Sequence, residues 1–310
     1  MCSQWKVTTI LSGCLLVACT FLSSVAQQPQ SANQPPAGVS FQKEIVYGTG
    51  AGEELTLNLA RPDKANGPLP CIVVIHGGAW RAGNKAGHDR QTWDFAQRGY
   101  VSATVGYRFC PKYVFPAQVE DVKCAVRFLR ANADKFGIDP KRIGAVGFSA
   151  GAHLSMMLGV MGKDDGMEGN GGNPDQPSQV QAVVSYFGPT DLLASDIPDR
   201  SMPLLKDFVG GTQTEKPEGH KRASPITYVS TGDAPTLIFQ GTKDPLVPHT
   251  QAYKMIDALT AAGVPGRAEF LVGAGHGWAG KDLERTVAET NAFFDEHLKA
   301  KPSVAAVKKD

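Results

Sequence analysis

The 310-residue sequence predicts an α/β fold, a mostly parallel central sheet with helices on both faces. Three observations carry the expectation. Short apolar runs rich in β-branched residues, such as CIVVI at 71–75, read as strands buried on both faces. Segments with apolar residues at helical spacing separate them, as at Val122, Ala125, Val126, Leu129 and Ala133. The 34 glycines and 21 prolines fall between these runs, where strand-to-helix turns are needed. Strands alternating with helices argue for a parallel sheet.

The elements follow in order. Residues 1–26 read as an export signal: Lys6 gives a positive start and the apolar run 7–18 is too short to span a bilayer. Two cleavage sites compete. Leu16-Val17-Ala18-Cys19 has the form of a lipobox, which would make Cys19 a lipid anchor, while Ser24-Val25-Ala26 before Gln27 suits ordinary signal peptidase. A second lipobox-like run ends at Cys14 behind a shorter apolar stretch. The exported product would be periplasmic, secreted or lipid-anchored. Residues 27–39, rich in Gln, Pro, Ser and Asn, read as a disordered linker. One domain is expected over 40–299, followed by a polar tail at 300–310.

Within that domain, alternation at 55–60 predicts an edge or hairpin strand, and 71–75 a buried one. A helix carrying Trp93 and Phe95 precedes a strand at 100–107, and a helix at 120–136 stops at Gly137. Ile138-Asp139-Pro140 then turns the chain into a strand at 143–148. Further strands are expected at 180–187, 236–240 and 268–272, with helices at 250–262 and 281–298. The Gly-, Asp- and Pro-rich stretch 162–179 reads as a surface loop.

Formal net charge is +1, from 31 basic and 30 acidic residues without a basic stripe, so nucleic acid is not an expected partner. Past the signal only Cys71, Cys110 and Cys124 remain, an odd number with no CxxC spacing. Neither a disulfide framework nor a zinc site is indicated, and a Cys110–Cys124 bridge stays open. No HExxH, carboxylate cluster or Gly-rich phosphate loop with a lysine is present, so neither metal nor cofactor is expected.

Four segments carry chemistry. Gly147-Phe148-Ser149-Ala150-Gly151 is a G-x-S-x-G match between an apolar strand and a helical run, the context in which a tight turn exposes a serine hydroxyl. Its glycines stand where strand and helix come too close for side chains. His76-Gly77-Gly78-Ala79-Trp80 follows a buried strand, and its unencumbered amides suit a developing oxyanion. The donors are assigned to Gly77 or Gly78 together with Ala150. Asp244 follows the strand at 236–240, and His276 follows the one ending near 272. In the order Ser, Asp, His, the histidine would take the serine proton and the aspartate would hold the histidine tautomer. Asp191, also behind a strand, is the rival acid. Trp80, Phe148, Phe187 and Trp278 are candidate walls of a substrate pocket, with core packing as the equal alternative. His76 and His153 read as structural.

HGGAW, GFSAG, the aspartate after a late strand and GHGW together resemble the α/β-hydrolase esterases and lipases related to hormone-sensitive lipase. Tyr107-Arg108-Phe109-Cys110-Pro111, Phe115-Pro116-Ala117-Gln118 and Glu120-Asp121 resemble that group's segment of the same kind. Gly169 to Asn173 and the run from Tyr186 to Asp191 look closer to its bacterial acetyl- and feruloyl-esterase-like members. The resemblance implies a serine carboxylesterase acting on small acyl or aromatic esters, including those on a polysaccharide such as xylan. Ala79 stands where the group often has a third glycine; alanine keeps its N–H. An arylformamidase would use the same triad and an HGG loop. A catalytically inactive binding module of this fold would be expected to lack the serine or the histidine, and both are here.

Overall fold

In the computed structural model the described residues are Met1 and 34–299, and those from Pro35 onward belong to one compact unit. The signal, both cleavage sites, Cys19, most of the linker and the polar tail lie outside the described residues. The sheet has eight strands: β1 (Val39–Gly50), β2 (Glu53–Pro62), β3 (Leu69–Ile75), β4 (Val101–Val105), β5 (Ile138–Phe148), β6 (Ala182–Tyr186), β7 (Thr236–Gly241) and β8 (Gly266–Leu271). Their spatial order is β1-β2-β4-β3-β5-β6-β7-β8. β1 and β2 form an antiparallel hairpin, β2 meets β4 antiparallel, and every pairing from β4 to β8 is parallel.

Why the middle strands are apolar throughout is visible in β3. Cys71, Val73 and Ile75 enter one core cluster, while Ile72 and Val74 enter another on the opposite face. Alternate side chains point to opposite faces, so a strand covered on both sides needs apolar residues at every position. On the first face lie α2 (Ala117–Ala131), α4 (Ala150–Val160) and α7 (Thr250–Ala261). On the second lie α1 (Asp89–Gln97) and α8 (Gly280–Leu298), bringing Phe95, Phe294 and Leu298 onto the sheet. All eleven residues of α4 are buried, which fits its largely apolar composition, with His153 and Ser155 hydrogen-bonded to carbonyls.

Four expectations needed adjustment. β5 begins at Ile138, with Leu69 paired to it, so Ile138-Asp139-Pro140 is already strand. Gly137, at φ 71°, turns the preceding helix straight into the sheet. The helix expected at 120–136 starts earlier, at Ala117, and is interrupted at Asn132 before a one-turn α3 (Ala133–Phe136). β1 has no clear alternating signature because only three of its twelve residues are buried and two register shifts break its pairing. Between β6 and β7 stand α5 (Met202–Val209) and α6 (Pro217–Arg222), neither anticipated.

The stretch 162–179 holds no helix or strand, yet it is tied down. Glu168 pairs with Lys123 at 2.8 Å and with Arg127, two α2 side chains that are almost wholly buried. Arg127 Nε also donates to Gly172 O at 3.1 Å. Buried cations without such partners would be strongly destabilising, so the loop is part of the fold.

Candidate active site

The C-terminal ends of the parallel strands bring the four chemical segments together, as this topology places ligand sites generally. β5 runs into the 147–151 turn. A Cβ on Gly147 would lie 2.1 Å from Gly151 O, and one on Gly151 would lie 2.1 Å from Ile75 O. Only glycine fits at either position. Ser149 itself adopts φ 53°, ψ −118°, a conformation that L-residues avoid. It is held there by Ser149 N–H donating to Tyr186 O at 2.9 Å and by His153 N–H donating to Ser149 O at 3.0 Å.

Ser149 Oγ lies 2.8 Å from His276 Nε2, and His276 Nδ1 lies 2.7 Å from Asp244 Oδ2. An ionised carboxylate only accepts, so Nδ1 carries the proton and Nε2 is left to accept from the serine hydroxyl. Asp244 is fixed from several sides. Its Oδ1 accepts from the N–H groups of Leu246 (2.8 Å) and Val247 (3.0 Å), and its Oδ2 also accepts from Gln240 Nε2 at 3.1 Å. Its side chain is fully buried, and that of His276 is 19% exposed. Asp191 is elsewhere engaged: Oδ2 pairs with Lys254 Nζ at 2.9 Å and Oδ1 accepts from Leu193 N–H.

The 76–80 loop closes the other side. Tyr107 Oη donates to His76 O at 3.0 Å, and His76 Nδ1 donates to Gly77 O at 2.7 Å. Arg81 and Ala82 N–H groups both donate to Gly78 O, and Gly78, Ala79 and Trp80 all have positive φ. Burial lowers the His76 pKa, keeping the imidazole neutral near pH 7 in its structural place. The N–H groups of Gly77, Gly78 and Ala150 line one cavity with Ser149 and have no acceptor among the described residues. Amides held in that state are suited to receive an oxyanion.

That cavity measures about 350 Å³. Trp80, Phe148 and Phe187 line it; Trp278 does not. Trp278 packs edge-on behind Phe187, ring centroids 5.3 Å apart, and its Nε1 donates to Thr286 Oγ1 at 2.9 Å. Its place is a supporting one, because the indole N–H finds its acceptor on α8. Trp80 also reaches inward, stacked on Phe208 and donating to His153 Nδ1 at 3.3 Å. His153 Nε2 donates to Ala223 O, and burial pushes this histidine down to about 4.

Sequence reasoning did not find the opposite wall: Leu192, Ile197, Leu204, Leu205, Leu246 and Val247. Their sequence signal is that of any amphipathic segment. Gln240 was also missed; as the last-but-one residue of a buried strand, a fully buried amide was the available clue. Cys71, Cys110 and Cys124 are buried free thiols, so the Cys110–Cys124 bridge is not formed. No group of three metal-ligating side chains occurs among the described residues.

The BD-FAE family model matches residues 57–259. The esterase LipQ of Mycobacterium tuberculosis is 34% identical over 71% of this chain and 53% of its own length. The chain thus spans about half of that curated relative. A truncated carbohydrate esterase from gut microbiota superposes with a TM-score of 0.75 at 28% identity, covering 84% of this chain and 97% of its own. Esterase 2 of the planctomycete Thermogutta terrifontis gives 0.71 at 27% identity over 86% and 95%, and has also been solved with propionate and with butyrate bound.

Proposed function

The chain belongs to the BD-FAE family and has the α/β-hydrolase fold, and from that premise we propose that it is a serine carboxylesterase working through an acyl-enzyme. The hydrogen-bonded chain Ser149–His276–Asp244 is the observation that carries this reading.

His276 Nε2 takes the Ser149 proton as Oγ attacks the ester carbonyl, and the carbonyl oxygen gathers negative charge. The amides of Ala150 and of Gly77 or Gly78 receive that charge; one such donor contributes about 3–4 kcal/mol to the transition state. The imidazolium is stabilised by Asp244 and then gives its proton to the departing alcohol oxygen. Water repeats the sequence in reverse, releasing the acid and restoring the serine.

Apart from the catalytic groups, the cavity offers almost nothing polar to an acyl chain. Ser201 Oγ already donates to Leu246 O, and Gln251 is occupied by Thr190 and Asp191. Its volume is much larger than an acetyl group needs. The Thermogutta esterase that holds propionate and butyrate is consistent with an acyl site of this kind. Each methylene buried there contributes about 0.8 kcal/mol, close to fourfold. For p-nitrophenyl esters, kcat/KM is therefore expected to rise about fifteenfold from acetate to butyrate, which adds two methylenes. A series that falls with chain length would mean that this cavity does not receive the acyl group; no turnover of any ester by folded protein would remove the esterase reading.

Gln240 is expected to matter through Asp244. Its Nε2 donates to Asp244 Oδ2 at 3.1 Å and to Val247 O at 2.8 Å, while its buried Oε1 has no partner. Gln240→Leu removes that orphan oxygen along with the donor but leaves Val247 O without its partner, a folding cost of about 1–3 kcal/mol. The loss of one hydrogen bond to a charged acceptor is expected to lower kcat about tenfold, with KM unchanged. Steady-state kinetics beside a melting curve separates this from general destabilisation.

For the alcohol half, the gut carbohydrate esterase makes a sugar the favoured reading. Ester decorations of an extracellular polysaccharide, such as acetylated or feruloylated xylan, are the proposed natural substrates, and export of the chain is proposed with them.

A further inference from the structure

A second cavity, about 210 Å³, opens between α1 and α8. Phe148 lines both this cavity and the one that holds Ser149. Resting on the esterase reading above, we propose that the α1–α8 groove is a carbohydrate subsite, holding a sugar ring on the alcohol side of the ester.

Its chemistry suits a pyranose. The half-buried Phe148 supplies aromatic surface against which the C–H face of a sugar can pack, backed by the buried Tyr186 ring at a centroid distance of 4.9 Å. Tyr186 Oη is bonded to Thr286 O and Thr290 Oγ1, which fixes the ring beneath Phe148. Around the aromatic floor stand Gln91, Asp94 and Asn291. Gln91 Oε1 accepts from His88 Nδ1 at 3.2 Å, and that histidine is itself stacked on Phe148 at 4.6 Å. The arrangement leaves the Gln91 amide N–H₂ pointing to no described acceptor. The Asn291 amide stands beside them at the rim, and the Asp94 carboxylate lies within the field of Arg90 on the same helix. Partial burial raises the Asp94 pKa against the opposing pull of the Arg90 charge. Hydroxyls both donate and accept, and planar amide and carboxylate groups beside an aromatic face can satisfy them.

The contrast with the first cavity is one of division of labour. That cavity is apolar with its few polar side chains already bonded; this one is aromatic below and polar at the rim. Phe148 is the shared wall, directly before the nucleophile in the chain. An ester whose acyl group enters the first cavity therefore has a surface matched to a polyhydroxylated alcohol next to it. Leu283 and Val287, exposed one turn apart on α8, extend the groove outward and give a further ring some apolar surface.

The test compares two substrates with the same acyl group, acetylated xylotriose and p-nitrophenyl acetate, in wild type, Asp94→Ala, Asn291→Ala and the double variant. Asp94 is on the exposed side of α1 and Asn291 is half-buried, and neither belongs to the core, so folding should survive; melting curves check it. The expected result is that the double variant loses about tenfold or more in kcat/KM on the sugar ester, mostly through KM, with p-nitrophenyl acetate within twofold of wild type. Equal losses on both substrates, or no loss on either, would overturn the subsite. So would wild type that turns over p-nitrophenyl acetate and not the xylotriose ester, and in that case the esterase reading stands. Wild type inactive on both esters would instead refute the esterase reading, and this inference with it.

Discussion

Ser149→Ala is expected to lower kcat on p-nitrophenyl butyrate by about five to six orders of magnitude, the scale on which loss of a triad serine acts. The residual rate is that of an enzyme that still binds ester and still presents its oxyanion amides to an attacking water. Substrate binding should change little, because Ser149 Oγ bonds only to His276 in the resting site. The fold should be undisturbed, since alanine keeps the Cβ and the backbone bonds to Tyr186 and His153. A companion variant sharpens the point. At φ 53° a side chain costs conformational energy that glycine does not. Ser149→Gly should therefore be equally inactive and more stable than Ser149→Ala, by about 1 kcal/mol. The serine would then be held in strain for its chemistry. Activity in Ser149→Ala above a hundredth of wild type would place the nucleophile elsewhere, and an unchanged melting temperature in Ser149→Gly would remove the strain argument.

The catalytic segments were legible in the sequence because their chemistry is local. A turn that brings Gly147 within 2.1 Å of Gly151 O, counted from the missing Cβ, tolerates no other residue, and so writes itself as G-x-S-x-G. A loop that must present bare amides writes itself as HGG. The buried strands were legible for a similar reason, since two covered faces demand uninterrupted apolar runs. What stayed hidden was relational. Asp191 and Asp244 both follow strands and both take hydrogen bonds from N–H groups further along their own turns; only the positions of Lys254 and His276 tell them apart. The cavity wall from Leu192 to Val247 is assembled from the β6–β7 connection and the turn after β7, with no periodicity to mark it. Trp278 and Phe187 look alike as aromatics near a catalytic turn. Their roles divide on whether the indole N–H has an acceptor behind it, and Thr286 supplies one.

Asp244→Asn is expected to lower kcat by about 10⁴-fold at neutral pH, and the surrounding hydrogen bonds explain why an isosteric change is so costly. The carboxylate accepts at both oxygens: Oδ1 from the Leu246 and Val247 N–H groups, Oδ2 from His276 Nδ1 and Gln240 Nε2. An asparagine must choose. With two backbone donors at the Oδ1 position, its oxygen belongs there, and its N–H₂ falls where Oδ2 was. That amide then faces His276 Nδ1 as a donor, so Nδ1 must accept and the ring proton moves to Nε2. Nε2 can no longer take the Ser149 proton. The same amide also meets Gln240 Nε2, donor against donor, adding a buried mismatch. Turning the amide over restores His276 but sets N–H₂ against two backbone N–H groups, which is worse. Asp191→Asn is the control. It weakens a partly exposed pair with Lys254, an interaction of about 0–1 kcal/mol, and should leave kcat within twofold of wild type. A reversal of the two results, with Asp244→Asn active and Asp191→Asn dead, would mean that the working enzyme rebuilds its triad around the other carboxylate.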